Sequence, residues 1–461
     1  MVQTPGPLEE SRSGSGFLFN VNIVFLSQIA IYGFAFGLRI VLAQGLGDEG
    51  LGTYSLFFVG ILVAGGVANL GVGLGNIYFL NKSTYDLRTL LSNSLAVILW
   101  TAIAGWAFVL AWAAVFGREL FIEGDAYWLW GLALPAVIAY TILTSFLHGR
   151  SRFVALQTVA VLQGAIALSA LTVLDAMGEL DVGTAIAAWT ASFLIVDLVC
   201  LVTIGLGNID AGTVVRPDMA ALRDQVRYGA QGQLANMAAL FNYRLDQYLV
   251  AAFVSTAAVG HYTVAVGLAE SVWWISTAVA LVMLPRLTAM TEKAAQEVTP
   301  LVCRNTLLIS ILAGIGVIAV APAAIPVLFG DEFYPDSFWP LLLLMPGIVA
   351  ASASRVLGSY LFSQGKVIYN TFASVIALVV SIGLDFIAVP LFEVEGAAAM
   401  SSIAYVCALI ATLYWYRQVS GGSIREALLP RLDDREHYMR ILRRVSGRTK
   451  PLPHDQPDEH G

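Results

Sequence analysis

The sequence predicts an all-α polytopic membrane protein with twelve transmembrane helices, and three observations predict it. Long apolar stretches run almost end to end from Phe17 to Val419, with only short polar loops between them. The chain is 58% hydrophobic and 12% charged, whereas a soluble domain carries about 25% charged residues. The few charges are sorted by sign into alternate loops. A hydrocarbon layer about 30 Å thick needs about 20 apolar helical residues to cross it. Barrel strands would show alternating segments of about 10 residues; the runs here are unbroken.

The first span covers 17–43 and the second 51–80, joined by a turn bearing Asp48 and Glu49. Lys82 and Arg88 flank the entry to the third (87–116). A loop with Glu119, Glu123, Asp125 and the lone Arg118 leads to the fourth (126–149). Arg150 and Arg152 precede the fifth (153–177), and Glu179 and Asp181 precede the sixth (182–206). A charged linker, 207–225, leads to the seventh (226–254) and eighth (257–290). Arg286, Lys293 and Arg304 flank the entry to the ninth (302–329). Asp331, Glu332 and Asp336 precede the tenth (338–363), Lys366 the eleventh (367–391), and Glu393 and Glu395 the twelfth (395–419). Basic and acidic loops therefore alternate. Cytoplasmic loops are the ones enriched in Lys and Arg, so both termini are expected in the cytoplasm and the protein in the cytoplasmic membrane. Residues 1–16 read as a disordered tail, with no cleavable signal peptide and the first span acting as insertion signal. The tail, 420–461, carries a basic amphipathic stretch, Arg435 to Arg448, suited to anionic lipid or to a docking partner. Cys200, Cys303 and Cys407 are expected to be free thiols.

The chain contains an internal repeat. Leu42 to Ser55 aligns with Val250 to Thr263 at an offset of 208, pairing Leu51-Gly52 with Val259-Gly260 and Tyr54 with Tyr262. Leu174-Asp175 answers Leu384-Asp385, and Gly183 answers Gly396. Each half, 17–206 and 226–419, then holds six helices. Six is even, so the halves insert with the same orientation. They form two six-helix bundles related by a pseudo-two-fold axis along the membrane normal, an arrangement used by transporters that rock about the seam.

Ionisable residues inside spans are costly and face the protein interior or a water-filled cavity. Arg39, Asp197, Arg244, Asp246, Glu270 and Arg355 are such residues. At 1.5 Å rise per residue, Arg244 and Glu270 both lie about 16 Å from the turn between spans seven and eight. They are expected to meet, either as a pair that opens to admit an anionic group such as a pyrophosphate, which guanidinium fits, or as a permanent structural pair. Arg39 lines the same seam or snorkels to the surface. Asp246 points away from Arg244's face, and Arg355, like Asp197, lines the pathway or snorkels. Amides such as Asn236 and Asn242 either bond sugar hydroxyls or tie helices together. Asp385 is expected to cap or sit at an interface. His148 and His261 look isolated. The sequence has no GxxxxGK[ST] phosphate loop, no metal-ligand cluster, no catalytic constellation and no basic aromatic surface for nucleic acid. No cofactor is expected, apart from a possible coupling H+ or Na+.

Leu46 to Ser55 resembles the first external turn of bacterial and archaeal polysaccharide flippases, and Asn69-Leu-Gly71 resembles their second helix. Leu245-Asp246 through Tyr262, ending at Leu284-Pro285-Arg286, is similar to the start of their second half. Gly383-Leu-Asp385 through Gly396 is similar to their last interhelical link. The resemblance is to the polysaccharide/O-antigen flippase family of the multidrug/oligosaccharidyl-lipid/polysaccharide (MOP) exporter superfamily. It implies a V-shaped pair of bundles, a cavity lined by helices 1, 2, 7 and 8, and outward movement of lipid-linked oligosaccharide. Ion-gradient coupling is implied too, with Asp246 matching the family's acidic position in helix 7. Expected partners are the lipid-linked oligosaccharide, membrane lipid and glycan-assembly enzymes. Two alternatives stand beside this: a related exporter of a lipid-linked cell-wall precursor or small cations, and a membrane glycosyltransferase or polymerase. The first precursor class usually has 14 helices, cation exporters favour acidic linings, and the enzymes need larger external loops than this chain has.

Overall fold

The computed structural model describes residues 7–116, 128–205 and 217–429. The described chain is helical: α1 (Pro7–Ala68), α2 (Val72–Lys82), α3 (Leu87–Phe116), α4 (Leu129–Gly149), α5 (Phe153–Met177), α6 (Val182–Ile204), α7 (Met219–Phe253), α8 (Thr256–Ala289), α9 (Glu292–Phe329), α10 (Phe338–Ser363), α11 (Val367–Ser420) and the short α12 (Ile424–Leu428). A 3-10 turn, Asp331–Phe333, lies before α10.

Two helices are too long for one crossing. A straight helix of 62 residues would be about 93 Å long, yet α1 breaks at Gly47, which has φ 69°. Residues 31–42 before the break and 51–62 after it line one cavity, so the chain folds back there. Likewise α11 breaks at Glu393, and Gly396 packs on the Ala388 backbone, impossible along a continuous helix. Nine described helices are long and apolar enough to span a bilayer. α1 and α11 each contribute two passes, and the more polar α7 is the remaining one. The protein is thus a multi-pass membrane protein of twelve helices.

Polar side chains set the helix starts. Asp181 accepts the Thr184 amide at 2.7 Å in a capping box that starts α6, and Ser255 accepts the Ala258 amide at 3.1 Å at the start of α8. Asp218 caps α7, so helix begins inside the stretch read as the 207–225 linker; residues 206–216 lie outside the described residues. The backbone is also helical from Pro7, where the sequence suggests a disordered tail. The 117–127 loop and the basic stretch within 430–461 lie outside the described residues.

The repeat has a direct structural counterpart. Gly52 packs on the carbonyl of Thr256, and Gly260 packs on the carbonyl of Asp48. Thr256 is the repeat equivalent of Asp48, and Gly260 of Gly52. The contact is therefore reciprocal, as around a two-fold axis. It marks one end of the molecule, the acidic end, with Asp48, Glu332 and Asp336. The opposite, arginine-rich end is tied by Arg152 Nη1 donating to the Thr203 carbonyl at 2.9 Å and Arg304 Nη1 donating to the Glu426 carbonyl at 3.1 Å. There Tyr85 donates to the Asp224 carboxylate at 2.6 Å, which raises the phenol above its ordinary pKa.

Candidate functional site: a charged seam beside two cavities

Glu270 on α8 holds two arginines. Arg244 Nη2 lies 3.0 Å from Oε1, and Arg39 Nη2 lies 3.3 Å from Oε2. Arg244 and Glu270 belong to the second half and Arg39 to the first, so the second contact crosses the seam. The three side chains are only 15–24% exposed. Bulkier neighbours would exclude the long Arg39 side chain. Gly267, one turn before Glu270, provides the gap: a Cβ there would sit 2.5 Å from Arg39 Nη1 and 3.2 Å from its Cδ. The same face of α1 meets α8 through aromatic rings. Tyr32 stacks on Trp274 at 5.1 Å, and Phe36 meets Trp274 edge-on at 6.4 Å. Residues 32, 36 and 39 follow helical spacing, which points them to one neighbour.

A cavity of about 290 Å³ opens beside these charges. Arg39, Arg244 and Gln247 supply polar wall, while Phe34, Tyr54, Phe58, Trp189 and Phe193 make most of the rest apolar. The arrangement suits an amphiphile with an anionic group. Guanidinium groups pair bidentately with phosphate oxygens.

The other residues singled out from sequence lie elsewhere. Asp246 is 5% exposed and lines neither cavity described here. Its Oδ2 accepts the Tyr262 hydroxyl at 2.5 Å and the Ser401 hydroxyl at 3.1 Å. Asp385 is not at an interface: it is 1% exposed, within electrostatic reach of Asp246, and accepts the Ser381 hydroxyl at 3.0 Å. Its Oδ1 has no hydrogen-bond partner among the described residues. Asp197 is buried in α6, with neither oxygen hydrogen-bonded among the described residues. Arg355 is far from snorkelling: it donates to Thr277 Oγ1 and lies over the Trp273 ring at 5.0 Å. It lines a second cavity of about 300 Å³ inside the second half. Asn236 is exposed and lines neither cavity. Its neighbour Gln233 does cross the seam, donating to the Gly66 carbonyl at 2.7 Å.

The two halves touch at both ends of the seam. At the acidic end, His261 is not isolated: its Nε2 lies 3.2 Å from Asp48 of the first half, and its Nδ1 lies 3.9 Å from Asp336. At the arginine-rich end, Gly71 and Gly229 bring two backbones together, and Gly75 packs on Gln225. Gly71 has φ 75°, a left-handed conformation that glycine adopts at little cost. Gln225 is fully buried and enters the first half. Its amide donates to Asn76 at 2.6 Å and accepts from Asn93 at 2.8 Å, while Asn76 donates to Ser94 and Ser145. Sequence reasoning did not find Gly267, Gln225 or the His261–Asp48 contact. The 208-residue offset held a clue to the last, because it pairs Asp48 with a residue on the His261 turn.

The family described as polysaccharide biosynthesis protein matches residues 41–337. That range holds Arg244, Asp246 and Glu270. No curated protein matches the chain. Similar solved structures include the lipid II flippase MurJ in an inward closed conformation, with a TM-score of 0.71, 12% identity and 94% of each chain covered. They also include inward-facing and outward-facing conformations of a multidrug resistance MATE family transporter of the MOP superfamily. The inward-facing one has a TM-score of 0.66 at 16% identity, covering 85% of this chain and 94% of the other. The outward-facing one has 0.60 at 15%, covering 87% and 95%. At these identities the likeness is one of fold.

Proposed function

We propose, from the premise that this chain belongs to the polysaccharide biosynthesis protein family and has the fold of MOP-superfamily transporters, that it flips polyprenyl-pyrophosphate-linked oligosaccharide across the cytoplasmic membrane by alternating access. The observation that carries this reading is one carboxylate shared by two arginines from opposite halves, beside a mainly apolar cavity. An incoming pyrophosphate competes with Glu270 for Arg39 and Arg244. Winning Arg39 removes the charged contact across the seam, so substrate binding favours separation of the halves at that point. A ligand shifts a conformational equilibrium only through such differential contacts. The lipid tail stays in the bilayer while the aromatic walls shield it from the charges.

Coupling to H+ or Na+ is assigned to Asp246 and Asp385. Both carboxylates are buried, and a buried charge is costly unless it is paired, so a cation or proton at Asp385 Oδ1, which has no hydrogen-bond partner among the described residues, offsets that cost. Membrane lipid surrounds the bundles, the arginine-rich end faces the cytoplasm, and glycan-assembly enzymes supply the cargo. The chain acts as a transporter rather than as a polymerase.

The test is Arg244→Ala at matched expression, following arrival of glycan-lipid in the outer leaflet. Loss of flipping is expected, and undiminished flipping would remove the seam from the mechanism. Asp385→Asn should preserve substrate binding and abolish the response of transport to an imposed ion gradient; a retained response overturns the coupling assignment.

A further inference from the structure

The second cavity has a chemistry unlike the first. It lies wholly within the second half, between α7, α8, α10 and both arms of α11. Tyr243, next to Arg244 in the chain, marks its inner end, and Phe362 and Asn370 mark the end towards the arginine-rich side. No carboxylate is among the described residues that line it; Arg355 is the single charge, and amides and hydroxyls supply the remaining polar wall. Two polar atoms here have no hydrogen-bond partner among the described residues. Asn242 is 5% exposed and its Oδ1 has no hydrogen-bond partner; Ser354 Oγ is buried and unpartnered as well. Others are already occupied: Asn370 donates to the Gly358 carbonyl at 3.0 Å, and Arg355 is held by Thr277 and Trp273.

A buried acceptor and a buried hydroxyl left without partners are unfavourable unless a ligand or water completes them. An acyl chain would leave them unpaired. A cation would meet a guanidinium with no carboxylate to offset it. A sugar supplies hydroxyl donors to Asn242 Oδ1, and both donors and acceptors to Ser354. The aromatic rings of Tyr243 and Tyr405 border the same space and offer apolar faces to the C–H side of a pyranose.

We propose that this cleft is a carbohydrate-binding subsite, with Asn242 and Ser354 as its hydrogen-bonding pair, that receives the glycan portion of a lipid-linked substrate. The inference rests on the flippase reading, in which the arginines of the seam hold the pyrophosphate. Arg244 and Tyr243 are adjacent on α7 and face the two cavities, so one amphiphile can address both.

The test uses the full-length protein in lipid nanodiscs. Saturation-transfer NMR is recorded with free maltose, with its dodecyl glycoside and with inorganic pyrophosphate. Thermal unfolding of each variant checks that it is folded. Both saccharides are expected to give signal, with the dodecyl glycoside at least tenfold tighter. Ser354→Ala, a minimal change, should weaken saccharide binding several-fold, and Asn242→Ala should weaken it tenfold or more. Gly358→Leu, which fills the cleft from α10, should abolish it. Arg244→Ala should leave saccharide binding intact while removing that of pyrophosphate, so failure of the transport reading and failure of the subsite give different results. Saccharide binding that is absent, or unchanged in all three cleft variants, overturns the proposal. So does binding of free maltose without any gain from the alkyl chain, which would indicate a free-sugar ligand. Loss of pyrophosphate binding in Ser354→Ala would make the cleft an anion site and overturn it equally.

Discussion

Replacing Glu270 by Gln preserves shape and removes the charge that holds Arg39 and Arg244. Two unit charges about 4 Å apart attract by about 4 kcal/mol at an effective dielectric of about 20, and desolvation offsets much of that. Removing one partner of a buried pair costs about 3–5 kcal/mol, because the other charge is left uncompensated. Here the groups are 15–24% exposed, so water screens part of the loss, and about 2–3 kcal/mol is expected. Of Glu270's two contacts, the one to Arg39 crosses the seam. The perturbation therefore falls on the equilibrium between closed and separated halves as well as on stability, and 2–3 kcal/mol is roughly a 30–150-fold shift. Spin labels on α1 and α8, read by double electron–electron resonance in nanodiscs, would report a broadened distribution with a new longer distance. The companion variant Arg39→Gln loses the same contact without stranding a charge. If the contact is what matters, the double variant Arg39→Gln/Glu270→Gln will separate the halves no more than Glu270→Gln alone. Additive effects, or a distance distribution identical to the wild type, would refute the reasoning.

Three further outcomes follow from the packing. Gly267→Val puts methyl groups where Arg39 passes, so it and Arg39→Gln should both lower flipping in the outer-leaflet glycan assay, while thermal stability changes little. Gln225→Leu strands the amides of Asn76 and Asn93 in a fully buried site; at about 1–3 kcal/mol per unsatisfied group, thermal unfolding should move down by several degrees. Gly52→Val sets a side chain against the Thr256 carbonyl and should pry the acidic end apart, measured as faster labelling of a cysteine at Ala258, buried in the closed contact, by a membrane-impermeant maleimide.

The match to a polysaccharide biosynthesis family and the MOP-like fold leave the cargo to these experiments. A cation exporter would favour an acidic lining, whereas the described lining of the second cavity has Arg355 and no carboxylate, and a phosphate-only carrier would not need Tyr243 and Tyr405 there. Such details separate readings that share one architecture.

Hydrophobic runs, the sign of loop charges and the 208-residue offset were enough to establish the spans, the two halves and the meeting of Arg244 with Glu270. Those features depend on local periodicity and on the thickness of a bilayer, which any linear reading can apply. Side-chain partners on helices that do not follow one another in the chain were not accessible in that way. Arg39 reaches Glu270 across 231 positions because Gly267 leaves a gap, and Asp246 accepts the Ser401 hydroxyl across 155 positions. Gln225 joins the opposite half through Asn76 and Asn93, although it lies in a stretch that reads as a polar linker. The bilayer restricts each helix to crossing or not crossing. Which faces then meet depends on how small residues let helices approach, and that is a property of pairs of helices, decided only when they pack.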